Sequence, residues 1–271
     1  MAEAHLVENK PVSCPGKELH LYSADFADFD AAEVAASGLD WLDAHEQRRY
    51  RRYHLRRHRE RFLLGRVLLR QTLSRYAAAS PAQWQFVENA WGKPALARQP
   101  AAGPLHFNLS HSGTRLLLAV GRHELLGVDV ERSDRPRRLR RIARRYFSAT
   151  EVAALLALPE AERLPRFYRL WTLKEAYIKA RGSGLALGLA RFSFDFEAAG
   201  TLAFSADPGL QEQPAAWQFW QFPLAADYEA AVAGRGAGSG PLTLRHWRLQ
   251  ALDRCREEAL TIAWHKPAVA G

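Results

Sequence analysis

Two spacings of apolar residues run along this chain. In "RRYRRYHLRRHRERFLLGRVLLR" apolar positions recur at helical intervals, which predicts one amphipathic helix with Phe62, Leu63, Val67 and Leu68 inward and arginines outward. It belongs to a helical stretch over about residues 40–79, ended by Ser80-Pro81. "FSATEVAALLAL" predicts a second helix, with Ser148 as N-cap and Glu151 three residues later at capping-box spacing. A third is expected over 165–180, closed by "RGSGL". The other spacing is that of strands, expected at 18–22, "LHFNLSHS", "RLLLAV", "LLGVDVE", 192–196, 217–222, 228–232 and 242–249. "GRHE" (121–124) is expected to join "RLLLAV" to "LLGVDVE" as an antiparallel hairpin. Residues 1–15 read as a loose start, "ENAWGKPAL" and "QPAAGP" as turn-rich loops, and "GRGAGSGP" as the most linker-like stretch. The order strand, helix, strands, helices, strands predicts a mixed α+β fold with antiparallel sheets.

Length and composition set the frame. With 271 residues, two compact units of about 100 to 130 residues are expected. Hydrophobic residues at 48% and charged residues at 25% exclude a disordered or fibrous chain. No window approaches the roughly 18 apolar residues a membrane span needs, and no basic start precedes an apolar stretch, so a soluble, cytoplasmic protein is expected. Cys14 and Cys255 have no second Cys nearby and read as inert thiols rather than a zinc or disulfide framework.

Charge changes the picture more. The formal charge is +9, carried by 32 Arg and only 6 Lys. Residues 45–75 hold eleven Arg against Glu46 and Glu60, and residues 132–145 hold eight Arg against Asp134. Two such patches attract polyanions, whether nucleic acid, an acidic protein surface or a phosphorylated small molecule. A solvated helix face is the plainer explanation of each, and charge alone does not choose.

Carboxylates narrow the choice. In a strand over "LLGVDVE", Val128 and Val130 point one way while Gly127, Asp129 and Glu131 point the other. Two carboxylates on one face repel unless a cation sits between them, and oxygen ligands suit Mg²⁺, although a polar edge-strand face would also account for the pair. On the long helix, Phe167, Leu170, Trp171, Tyr177 and Ile178 share an apolar arc, with Lys174 in its middle. A buried ammonium must snorkel out or meet an anion. Glu175 and Lys179, spaced i and i+4, lie on the flank of that arc and suit an ordinary surface pair. Ser110 and His111 do not form a nucleophilic dyad, because adjacent strand residues point oppositely.

"WGKP", "FNLSHSG", "GVDVE", "FSATE" and "FYRLWTLKEAYIKARGSGL" occur in this order and together resemble the signature series of the Sfp-type 4′-phosphopantetheinyl transferases. The resemblance is strong over residues 91–185 and loose over 1–40 and 195–271. It implies a pseudo-dimer of two similar α+β halves, each a small antiparallel sheet packed with helices, divided here as 1–124 and 125–271 with the active site in the cleft. It implies transfer of phosphopantetheine from coenzyme A, the co-substrate, to a serine of an acyl or peptidyl carrier protein, releasing adenosine 3′,5′-bisphosphate. Asp129, Glu131 and Glu175 match the carboxylates that hold Mg²⁺, with Mn²⁺ equally suited to oxygen ligands. Glu175 is also the candidate base, directly or through water. Lys179 matches a catalytic lysine on the phosphates, and Lys174 the lysine preceding the glutamate, which is also expected to contact coenzyme A. Lys93, Ser110, His111 and Arg61 match positions at the nucleotide end. Acidic carrier domains of fatty-acid, polyketide or non-ribosomal peptide synthases are the expected partners, with residues 137–145 as part of a basic docking rim. A monomer is expected, because the cleft between halves replaces a subunit interface; neither membrane nor nucleic acid is an expected partner. A Mg²⁺-dependent nuclease and a non-catalytic nucleic-acid-binding protein are the competing classes.

Overall fold

The computed structural model describes residues 6–7, 12–135, 138–236 and 240–268. Most of the loose start at 1–15, the centre of the linker-like stretch and Arg137 of the expected rim lie outside the described residues.

The first half opens with β1 (Leu6–Val7) and β2 (Glu18–Asp25), continues through α1 (Ala31–Gly38), α2 (Ala44–Arg52) and α3 (Arg56–Leu73), then the ribbon β3 (Phe86–Glu88) and β4 (Pro94–Leu96), and closes on β5 (His106–Ser112) and β6 (Arg115–Gly121). The second half begins at β7 (Leu126–Arg132). It runs through α4 (Leu139–Tyr146), α5 (Ala149–Ala157) and α6 (Glu160–Arg181) into β8 (Phe192–Phe196), β9 (Leu202–Ala206), β10 (Trp217–Ala225) and β11 (Tyr228–Arg235). β12 (Thr243–Leu249), β13 (Cys255–Glu257) and β14 (Trp264–Lys266) end it. Two main sheets result, ordered β1-β13-β12-β2-β6-β5 and β14-β10-β11-β7.

Alternation along the strands builds four layers. Tyr22, Leu116, Leu118 and Val120 face α3, whose Leu63, Leu64, Val67 and Leu68 complete one core. The opposite faces of the same strands present Leu19, Leu21, Leu117 and Ala119 to Val128, Val130, Trp220 and Val232 of the second sheet. Ala231 and Ala233 then face α6 with Phe167, Leu173 and Tyr177. Helix, sheet, sheet, helix is a pseudo-dimeric α+β arrangement, and burial on both faces explains why the central strands read as nearly continuous apolar runs.

Four expectations are corrected. First, β6 and β7 do not form a hairpin: β6 is flanked by β2 and β5, while β7 pairs with β11. With both edges of β6 taken, 121–124 is a crossover between the sheets. Second, the predicted single basic helix breaks at Tyr53, whose extended backbone (ψ 115°) ends α2. The break lets α2 fold back so that buried Glu46 pairs with both Arg66 and Arg70 of α3. Third, the halves are not simply the segments 1–124 and 125–271, because the chain returns and β12 joins the first sheet beside β2, with Trp247 stacked on Tyr22 at 5.3 Å. Fourth, that pairing is parallel, in sheets otherwise antiparallel.

Candidate active site

The site lies where the edge strand of each sheet meets the other, with α6 above them. Two local features place α6. Its last turn ends on Gly182, whose φ of 65° is the left-handed cap conformation that favours glycine. At Gly127 of β7, a Cβ would overlap the Ala176 carbonyl and the Ala180 backbone, so only glycine lets the helix lie this close to the strand. Glu175 and Lys179 are thereby brought beside Asp129.

The strand faces are as the alternation predicts. Val128 and Val130 are buried between the sheets, and Asp129 turns to the α6 side, only 3% exposed. Lys179 Nζ donates to Asp129 Oδ1 at 2.6 Å and to Ser110 Oγ at 2.9 Å. The lysine therefore pairs with the neighbouring strand β7 rather than with Glu175 along its own helix, and reaches across the cleft to Ser110 of β5. Asp129 Oδ2 is buried and meets no hydrogen-bond donor among the described residues. Burial, then the charge of Asp129, pushes the Glu175 carboxyl up to about 7; Glu131 adds to this and Lys179 opposes it.

β5 and β7 are not hydrogen-bonded as strands; side chains bridge them. Asn108 Oδ1 accepts from the Val128 amide at 2.9 Å, Ser110 Oγ from Val130 at 3.4 Å and Ser112 Oγ from Arg132 at 3.2 Å. The two hydroxyls donate onward, Ser110 to Asp129 Oδ1 at 2.8 Å and Ser112 to Glu131 Oε2 at 2.9 Å.

A cavity of about 440 Å³ opens beside this cluster, and Arg61, Ser110, His111 and Lys179 all line it. The Ser110 hydroxyl is engaged by Asp129, Val130 and Lys179, while the His111 ring lies 6.4 Å from that of Phe26. Its pKa lies below the usual histidine value, through desolvation first and then the charge of Lys179, with Arg61 and Arg49 adding. Arg49, from the arginine run 48–61 out of which Arg61 was singled, lines the same wall, and sequence reasoning missed Tyr53, His58, Phe62 and Arg66 there. Their signal was the interleaving of arginine with aromatic residues, which here stacks: the Arg49 and Arg66 guanidinium carbons lie 5.4 and 5.5 Å from the Phe62 ring centre.

Two predicted coenzyme A contacts do not line this cavity. Lys93 Nζ donates to the Ala180 carbonyl at 2.7 Å and the Glu124 carbonyl at 3.2 Å, capping α6. It lines an adjoining cavity of about 450 Å³ rather than the first, and burial lowers its pKa to about 8. Lys174 is not brought to the cleft at all. Fully buried, it forms a 2.7 Å ion pair with Glu151 and donates to the Leu189 and Phe192 carbonyls at 2.8 and 2.7 Å. The buried ammonium meets an anion, and that anion is the capping-box acid of α5, which is formed as predicted. Its assignment to the cofactor is corrected on this ground: its donors are engaged inside the core.

The fit to a divalent cation rests on few atoms. Among the described residues no group of three or more His, Cys, Asp or Glu side chains stands ready to hold a metal ion. Asp129 Oδ2, lacking a donor, and Glu175, whose pKa is raised by burial first and then by the neighbouring Asp129 and Glu131 carboxylates, are what a cation would satisfy. Hard oxygen donors of this kind suit Mg²⁺.

Two α+β lobes thus place acidic side chains beside a cavity lined by arginine and lysine. Residues 125–233 match the family described as the 4′-phosphopantetheinyl transferase superfamily, and residues 32–123 match 4′-phosphopantetheinyl transferase, N-terminal. The chain is 32% identical to the 4′-phosphopantetheinyl transferase HetI of Nostoc sp. over 226 residues, covering 83% of this chain and 90% of that protein. It is 36% identical to the 4′-phosphopantetheinyl transferase Sfp of Bacillus subtilis over 155 residues, 57% of this chain and 66% of that protein. A Thermotoga maritima holo-[acyl-carrier-protein] synthase aligns at TM-score 0.34 and 19% identity, covering 42% of this chain and 64% of that one. The chain belongs to the 4′-phosphopantetheinyl transferase family and is an enzyme of that class. Among the described residues no helix is long and apolar enough to cross a membrane.

Proposed function

We propose that the enzyme moves the 4′-phosphopantetheine group of coenzyme A onto a serine of an acyl or peptidyl carrier protein, with Asp129, Glu131 and Glu175 holding Mg²⁺ at the diphosphate. The observation that carries this reading is that Ser110 and Lys179, on the wall of an arginine-lined cavity, both bond the buried Asp129 carboxylate behind it. When bound, Mg²⁺ would neutralise charge on the diphosphate and polarise it toward attack.

The chain's own residues supply the rest. Arg49, Arg61 and Arg66 give the cavity the charge to hold the nucleotide end, and Lys179 offers an ammonium to the phosphates. Glu175, on α6 one turn before Lys179, is the candidate to take the serine proton, directly or through water. The serine oxygen then bonds to the pantetheine-side phosphorus, the bridging P–O bond breaks, and adenosine 3′,5′-bisphosphate leaves with the electron pair. Exposed Arg140, Arg141, Arg144 and Arg145 on α4 suit an acidic carrier domain of a fatty-acid, polyketide or non-ribosomal peptide synthase.

The test is to incubate the protein with coenzyme A, Mg²⁺ and an apo carrier protein and weigh the carrier. A gain of one phosphopantetheine on serine, abolished by Asp129→Ala or Glu175→Ala in folded protein, is expected. No gain in wild type refutes the reaction, and full gain in either variant refutes the site.

A further inference from the structure

We propose that Ser112 is a positioning residue for Glu131, and that the alternate side chains of β5 form a template that sets the spacing of the acidic groups on β7. The inference rests on the metal-dependent reading of the site given above. Its basis is a repeated unit. Ser110 and Ser112 each accept a backbone amide of β7, from Val130 and Arg132, and each donates its hydroxyl to the carboxylate one residue earlier, Asp129 and Glu131. The direction of each bond is fixed by chemistry: an N–H must donate, which leaves the hydroxyl proton for the carboxylate. Both strands have a period of two, so β5 repeats the same bond two residues on and delivers the two carboxylates in one register.

The third member separates template from scaffold. Asn108 also accepts a β7 amide, that of Val128, but the residue at the corresponding place before it is Gly127, which has no side chain to hold. Asn108 therefore joins the sheets without orienting an acidic group, whereas Ser112 does both. The Glu131 carboxylate is three torsions away from the β7 backbone, so the strand alone does not set its position. A hydrogen bond from Ser112 at 2.9 Å removes part of that freedom before any ligand arrives.

The experiment measures Mn²⁺ binding in the presence of coenzyme A, by the loss of the free-ion electron paramagnetic resonance signal, together with thermal unfolding and the Mg²⁺ dependence of carrier modification. Ser112→Ala should weaken Mn²⁺ binding about tenfold and raise the half-saturating Mg²⁺ similarly while kcat at saturating Mg²⁺ stays within about threefold. Ser112→Thr, which keeps the hydroxyl, should restore binding to within about threefold. Asn108→Ala should lower the unfolding temperature but leave the Mn²⁺ affinity within about twofold. Unchanged Mn²⁺ affinity in folded Ser112→Ala, or an equal loss in Asn108→Ala, overturns the template. Wild-type protein that binds no Mn²⁺ refutes the metal reading itself and the template with it, a different outcome from wild-type binding that the Ser112 variant does not alter.

Discussion

Lys174 offers a decisive perturbation, because its place in the core and a place on coenzyme A make opposite forecasts. Replacing it by Met keeps most of its volume and removes the ammonium, leaving the fully buried Glu151 carboxylate to the Ser148 and Phe194 amides, and the Leu189 and Phe192 carbonyls without this donor. Removing one partner of a buried pair costs about 3–5 kcal/mol, since the remaining charge stays desolvated. For a chain this long, about 2 °C of unfolding temperature corresponds to each kcal/mol, so Lys174→Met should unfold about 6–10 °C lower. Adding Glu151→Gln should recover part of the loss, giving a favourable coupling in the double-mutant cycle. The assays are thermal unfolding of the four proteins and the KM for coenzyme A measured well below the transition, where KM should stay within about twofold. An unfolding temperature within 1 °C of wild type together with a tenfold rise in KM would refute the core assignment and return Lys174 to the cofactor.

Three other outcomes are expected. Gly127→Val should cost at least about 3 kcal/mol and abolish transfer, because its side chain overlaps the backbone at Ala176 and Ala180 and must push α6 off β7; near-wild-type denaturant stability would refute that close approach. His246, buried against Ser23 at 2.8 Å, has its pKa lowered from 6.5 to about 4 by desolvation, so the unfolded chain takes up the proton first and stability falls as pH drops from about 6.5 to about 4. This loss is at most about 3 kcal/mol, and His246→Gln should flatten that limb of a denaturant-midpoint profile; an unaltered limb would mean another group causes it. Reversing Arg140, Arg141, Arg144 and Arg145 to Glu should slow modification of an acidic carrier about tenfold or more at low salt and remove most of its salt dependence, whereas indifference to both would place the docking surface elsewhere.

The sequence by itself determined what local rules can carry. The capping box of Ser148 and Glu151 starts α5 as read, since both bonds lie within four residues. Strand alternation put Asp129 and Glu131 opposite Val128 and Val130, and the ordered motifs pointed to the family. Partnering was left to the tertiary structure. β6 and β7 are adjacent in sequence and look like a hairpin, yet they pair with β2, β5 and β11, because each apolar strand buries two faces and needs a neighbour on both sheets. Lys179 sits one turn from Glu175 but bonds Asp129, and Lys174 finds Glu151 across the core. Such pairings depend on which surfaces close packing brings together at distances under 3 Å, and nothing in the spacing of residues along one chain encodes them.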